Sequence, residues 1–192
     1  MAPRRLGLFG GSFDPPHIGH LVVAQDVVEA LDLDRLLFIP AGNPPHKLDR
    51  SLAPAPLRLE MVQCLVAGDD RFGVSEVELS RSGPSYTVDT LRHYRDLHDE
   101  AELFFVMGAD QAETFGSWRE PETVKELATL VVMAREGMDP PSGDFVTAPV
   151  TRLDISSSAI RSRIRDGRPI RYLVPEIVRR IIESNRLYRA VP

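Results

Sequence analysis

The segment Gly10-Gly11-Ser12-Phe13-Asp14-Pro15-Pro16-His17-Ile18-Gly19-His20 restricts the fold of this chain more than any other. A strand-like apolar run, residues 6–10, leads into it; an apolar stretch of helical length, 19–31, follows, and 36–40 reads as a second strand. Glycines in a strand-to-helix turn let a ligand approach the backbone, and the helix start beyond presents N–H groups to an anion. A β-α-β opening of this kind predicts a phosphate ligand at the end of the first strand of an open parallel sheet.

The alternation continues downstream. Residues 57–66 and 86–98 read as helices, and 103–107 and 130–134 as short continuous apolar strands. Such strands separated by helices imply an α/β fold, a Rossmann-like doubly wound parallel sheet with helices on both faces. Near the C-terminus a helix is capped by Ser156 or Ser157, places Ile160 and Ile164 on one face and closes at Asp166-Gly167. A last helix, 175–184, carries Ile177, Ile181 and Ile182 as its apolar stripe. The 192 residues suit one domain, with a helical part from about residue 155. Two long proline-rich connections remain, 41–55 and 135–149, and the first is the expected lid.

A chain that is 43% hydrophobic and 27% charged is neither membrane-like nor disordered. Its net charge of −5 argues against a general nucleic-acid binder, which needs a broad basic surface, so any phosphate site must be local. Cys64, the only cysteine, rules out an internal disulfide framework and a multi-cysteine metal site, and fits a reducing cytoplasm. No stretch reaches the length of a membrane helix, and Asp14 interrupts the N-terminal apolar run before a signal-peptide core can form.

His17 and His20 add two imidazoles, three residues apart, that can reach phosphate oxygens whose charge rises as pyrophosphate leaves. The same pair can hold a metal, although no third ligand of the right kind lies nearby, and no metal site is expected. The string has neither the GxxxxGK[ST] of a P-loop nor the spacing of a dinucleotide fingerprint.

The ten residues from Gly11 to His20 resemble the first signature of the nucleotidyltransferase superfamily, and Ile155-Ser156-Ser157-Ser158-Ala159-Ile160-Arg161 is similar to its second, with Ser158 where threonine is usual. The resemblance implies that His17, His20 and Arg161 act on the ATP phosphates together with Gly10, Gly11, Ser12, Phe13, Ser157 and Ser158. Arg161 is expected in the first turn of its helix, where the dipole also favours anions; alone it would read equally as a solvated arginine. Asn43-Pro44-Pro45-His46-Lys47, Ser85-Tyr86-Thr87-Val88-Asp89-Thr90, Gly108-Ala109-Asp110 and Trp118 narrow the resemblance to bacterial nicotinate mononucleotide adenylyltransferases, over nearly the whole chain.

That resemblance implies a chemistry in which nicotinate mononucleotide attacks the α-phosphorus of ATP, with Mg²⁺ carried on the ATP phosphates, and the product feeds NAD biosynthesis. Ser85, Tyr86, Thr87, Gly108, Asp110, Trp118 and Arg135 are the expected mononucleotide contacts, and Lys47 an expected phosphate contact. Read singly, several have a second interpretation. Trp118, the only tryptophan, can offer its indole to a pyridine ring or be buried core. Asp110 can accept from a ribose hydroxyl or cap a helix. His46, Lys47 and Arg135 can neutralise phosphate or remain solvated, and Cys64 reads as core. The rivals are a phosphopantetheine or nicotinamide mononucleotide adenylyltransferase, a tRNA-charging domain and a non-catalytic nucleotide sensor. The acidic charge counts against the tRNA reading, and the intact His17, His20 and Arg161 against the sensor.

Overall fold

The computed structural model describes residues 3–42, 52–135 and 143–189. Six strands form one sheet in the order β3-β2-β1-β4-β5-β6. They are β1 (Arg5–Gly11), β2 (Arg35–Pro40), β3 (Phe72–Val74), β4 (Glu102–Met107), β5 (Thr129–Arg135) and β6 (Val146–Val150), and every neighbouring pair is parallel. Parallel neighbours require crossovers, and those from β1 through β5 are helical: α1 (Ile18–Ala30), α2 (Ala55–Val66), α3 (Thr87–Leu97), α4 (Ala109–Glu113) and α5 (Pro121–Leu127), while the β5–β6 connection includes residues outside the described ones, and α6 (Ser157–Arg165) and α7 (Glu176–Ser184) follow the last strand.

Side chains alternate across each strand, so both faces of the sheet need cover. Leu6, Leu8, Leu103 and Phe105 point to one face, where they pack with Val88 and Leu91 of α3 and Val124 of α5. Phe9, Leu36, Phe38, Phe104 and Val106 point to the other, against Ala24, Val27 and Val28 of α1 and Val62 and Leu65 of α2. This is the doubly wound arrangement expected from the sequence. A third cluster joins Met61 of α2 to Ile160 of α6 and to Val178, Ile181 and Ile182 of α7; Cys64 packs partly buried against it, as its core reading anticipated. Among the described residues no helix is long and apolar enough to cross a membrane.

Every element expected from the sequence is present, with ends moved by one or two residues. Four were not anticipated. β3 has three residues around a glycine, too few for a periodic signal. The strand β6 lies in the second supposed loop. It is an edge strand, where Pro149 is tolerated because no further strand needs its missing N–H. The helices α4 and α5 are short, and α5 has only Val124 buried. The supposed lid, 41–55, lies largely outside the described residues, as do 136–142 of the second connection.

Candidate active site

Sheet order reverses between β1 and β4, and a crevice opens at the C-terminal ends of those two strands, which is where open α/β sheets bind ligands. A cavity of about 540 Å³ occupies it. Gly10, Gly11 and Ser12 line one wall from the end of β1; Ser85, Tyr86 and Thr87 come from the start of α3, Asp110, Gln111 and Thr114 from α4 and the residue after it, and Trp118 with Arg119 from the turn before α5. Expected residues from four separate segments thus line one cavity.

Local sequence explains the wall at β1. A side chain at Gly11 would bring its Cβ to 2.9 Å from the Phe13 ring, so this packing needs glycine. Phe13 itself adopts a left-handed φ of 45° and is buried, wedged between Phe9 and Phe38. The ring of Phe13 therefore supports the turn from below. At β4 the same economy recurs: a Cβ on Gly108 would lie 2.6 Å from Asp110 Oδ1. Gln111 Oε1 accepts the Gly108 N–H at 3.1 Å, which serves the start of α4 and leaves Asp110, exposed on the cavity wall, outside the capping role.

Trp118 is half-buried, neither fully core nor fully exposed. Its indole meets Phe105 edge-on at 6.0 Å and Phe115 at 5.4 Å, while the residue also lines the cavity. Arg119 lies over the Tyr86 ring at 4.7 Å. Tyr86 is the N-cap of α3, and the first amides of that helix have no intrahelical acceptors.

The two histidines lie beyond the glycine turn, at the start of α1. Their rings stack at 3.7 Å, and His20 Nδ1 accepts the backbone N–H of His17, the N-cap, at 3.0 Å. With Nδ1 an acceptor, the His20 proton sits on Nε2. Burial lowers the pKa of His17 to about 4 and pushes that of His20 well below the usual value, with the neighbouring His17 adding to the second shift. Both rings are neutral near pH 7. His17 Nδ1 is buried without a hydrogen-bond partner in the described structure.

Ser156 caps α6 by accepting the Ala159 N–H at 3.1 Å, and Ser157 Oγ donates to the Pro15 carbonyl at 2.9 Å. These contacts hold α6 against the 14–17 turn. Arg161 is the fifth residue of α6, one turn further along than expected, and its guanidinium bends back to donate to the Asp14 carbonyl at 2.6 Å and to Ser158 Oγ at 3.3 Å. Lys47 and His46 lie outside the described residues, and the side chain of Arg135, the last residue of β5, does too.

Several residues beside the cavity or the turn carried no assignment from sequence, Asp14, Arg58 and Glu78 among them. Asp14 is buried and Oδ1 accepts from Tyr188 Oη at 2.7 Å and from the Ala53 N–H at 3.1 Å. Arg58, 2% exposed, donates to the carbonyls of Ala53 and Ser12. One signal for it existed: Arg58 falls on the same helical face as Met61, Val62 and Leu65, an odd place for a cation unless it has buried acceptors. Glu78 lines the cavity and accepts from Thr90 Oγ1 at 3.0 Å, and burial raises its pKa. Among the described residues no group of three or more His, Cys, Asp or Glu is placed to hold a metal ion.

The architecture and the chain both have known counterparts. A cytidylyltransferase-like family model matches residues 8–163. A probable nicotinate-nucleotide adenylyltransferase of Thermus thermophilus is 50% identical over 187 residues, covering 96% of this chain and 100% of that protein. One from Thermomicrobium roseum is 43% identical over 198 residues, covering 97% and 92%. Among solved structures, the Plasmodium falciparum nicotinic acid mononucleotide adenylyltransferase complexed with NaAD superposes with a TM-score of 0.81 over 96% of this chain and 97% of that one, at 19% identity, a likeness of fold. With half its residues shared across the full length of a relative, and its glycine turn inside the family match, the chain belongs to the cytidylyltransferase-like family and, within it, to the nicotinate-nucleotide adenylyltransferases.

Proposed function

We propose that the protein transfers the adenylyl group of ATP to nicotinate mononucleotide, forming nicotinate adenine dinucleotide and pyrophosphate for NAD biosynthesis. The observation that carries this reading is the cavity at the β1/β4 reversal, where the glycine turn faces the starts of α3 and α4 across one space. A phosphate oxygen of the mononucleotide attacks the α-phosphorus of ATP; the new P–O bond forms as the bond to the β-phosphate bridging oxygen breaks, and the electron pair leaves with pyrophosphate. The attacking phosphate is already an anion, so no base has to remove a proton. The protein's contribution is alignment and charge stabilisation.

In this reading the backbone of residues 10–13 carries the phosphates, and His17, His20 and Arg161 act where charge builds on the leaving group. Ser157 and Ser158 are assigned to the ATP phosphates, and Lys47 is assigned to close over them. Neutral imidazoles fit the role, since each can donate one N–H and an arriving polyphosphate raises their proton affinity. Mg²⁺ enters with ATP as part of the substrate. On the other side, Trp118 stacks on the pyridine ring, Asp110 accepts from the ribose with Gly108 giving it room, Ser85, Tyr86 and Thr87 read the carboxylate, and Arg135 is assigned to the mononucleotide. We assign the reaction to the cytoplasm and to the whole chain working as one unit, with the helical part from about residue 155 supplying Arg161.

Purified protein with ATP and Mg²⁺ should release pyrophosphate and form the dinucleotide when given nicotinate mononucleotide, and should do neither with phosphopantetheine. Turnover of phosphopantetheine alone, or of neither compound, would defeat the proposal.

A further inference from the structure

Beneath the glycine turn lies a buried carboxylate with two cations beside it and a hydrogen bond to neither. Asp14 is 3% exposed. Arg58 aims at the Ala53 and Ser12 carbonyls. The nearest nitrogen of Arg161, Nη1, is 3.9 Å from Asp14 Oδ2, beyond hydrogen-bond distance, and is spent on the Asp14 carbonyl. Oδ1 is instead filled by two neutral donors, the Ala53 N–H and the phenol of Tyr188.

The phenol comes from the far end of the chain, 174 residues away, and its arrival is conformationally costly. Arg186 and Tyr188 both adopt left-handed φ, 51° and 62°, which side-chain-bearing residues avoid. Arg186 belongs to an ordinary helix ending, its N–H donating to the Glu183 carbonyl at 3.2 Å and the Leu187 N–H to the Ile182 carbonyl at 3.0 Å, whereas Tyr188 packs against the third cluster and bonds Asp14 through its hydroxyl. The left-handed backbone at Tyr188 lies outside that helix ending, and it directs the hydroxyl to Asp14 while the ring packs on the third cluster.

We propose that Tyr188 is a positioning residue for the ATP half of the site: by satisfying Asp14, it keeps the Arg161 guanidinium only loosely paired and so available to phosphate. The inference rests on the reaction proposed above for the role of Arg161. Without the hydroxyl, Asp14 loses the shorter of its two Oδ1 hydrogen bonds, and a buried carboxylate short of donors recruits the closest charged one. That group is Arg161, which then closes onto Oδ2 and turns away from the nucleotide. The phenol remains a donor throughout the working range, since burial and the Asp14 charge both push its pKa upward.

The test is a double-variant cycle read by calorimetric binding of ATP with Mg²⁺ in the absence of mononucleotide. Tyr188→Phe should raise the Kd for ATP about ten-fold, leave the Kd for nicotinate mononucleotide unchanged, and have no further effect in an Arg161→Ala background. Equal weakening of both nucleotides, full additivity with Arg161→Ala, or unchanged ATP affinity would each overturn the proposal. Because Tyr188→Phe strands a carboxylate and can unfold the chain, Tyr188→Phe combined with Asp14→Asn is measured as well. It removes both partners and the charge that captures Arg161, so ATP affinity should sit near that of the unmodified protein, and weak binding in this variant is a second refutation. ATP binding is read without turnover, so a chain that fails to adenylylate nicotinate mononucleotide sinks the proposed reaction, whereas the cycle still decides the role of Tyr188.

Discussion

His20 does two jobs with two nitrogens, and they can be separated. Nδ1 holds the N-cap amide of α1, in the place a capping-box glutamine would take, while Nε2–H is assigned to the leaving phosphates. His20→Ala should therefore lose about 1 kcal/mol of stability and a factor of about 10²–10³ in kcat. His20→Gln should recover the stability and none of the turnover, with thermal melts and pyrophosphate release as the two readouts. Equal recovery of both would reduce His20 to a cap. His17 makes a second prediction at this scale. Its folded pKa of about 4 lies below that of an unfolded histidine, so between about pH 6.5 and 4 the unfolded chain binds the proton first and stability falls as pH falls. Complete loss is worth about 3 kcal/mol. Urea melts across that range should show the decline, and His17→Gln should make it shallower, leaving the part that the buried His20 contributes.

Among the elements, the N-terminus of α3 has the sharpest consequence. Tyr86 caps it, and amides without intrahelical acceptors lie beside a cavity wall made by Ser85, Tyr86 and Thr87. A carboxylate can only accept, which suits them; an amide group brings an NH₂ that finds donors opposite. A mismatch of about 1–3 kcal/mol predicts a roughly ten- to hundred-fold higher kcat/KM for nicotinate than for nicotinamide mononucleotide. Equal values from steady-state kinetics would show that these amides do not read the acid. The elements also show what sequence patterns can carry. α6 was legible end to end, because Ser156, Ile160 and Asp166-Gly167 each signal locally. β6 was not, since its pairing with β5 comes from sheet geometry while its own five residues include a proline and only one buried side chain.

Across the whole molecule, the parallel sheet and the two halves of the site could be read from residues near each other in sequence, whereas the ties between distant segments could not. The glycine turn, Ser85–Thr87 and Asp110 each sit at a strand end or helix start that periodicity already marks, whereas Trp118 precedes α5, which periodicity did not mark. Nothing local to Tyr188 or Arg58 announces Asp14 or Ser12 as a partner, because those contacts exist only after α2 and α7 have packed on one another. A last consequence concerns light rather than chemistry. The chain holds one tryptophan, and it stands half-buried on the cavity with its indole edge-on to Phe105. Its emission is therefore a single-site signal, uncontaminated by other indoles, and a pyridinium ring laid on that face should quench it by drawing charge from the excited state. Titration with nicotinate mononucleotide should dim the fluorescence in saturable fashion, and ATP alone should leave it nearly unchanged. A signal that answers to ATP and ignores the mononucleotide would place the pyridine elsewhere in the cavity.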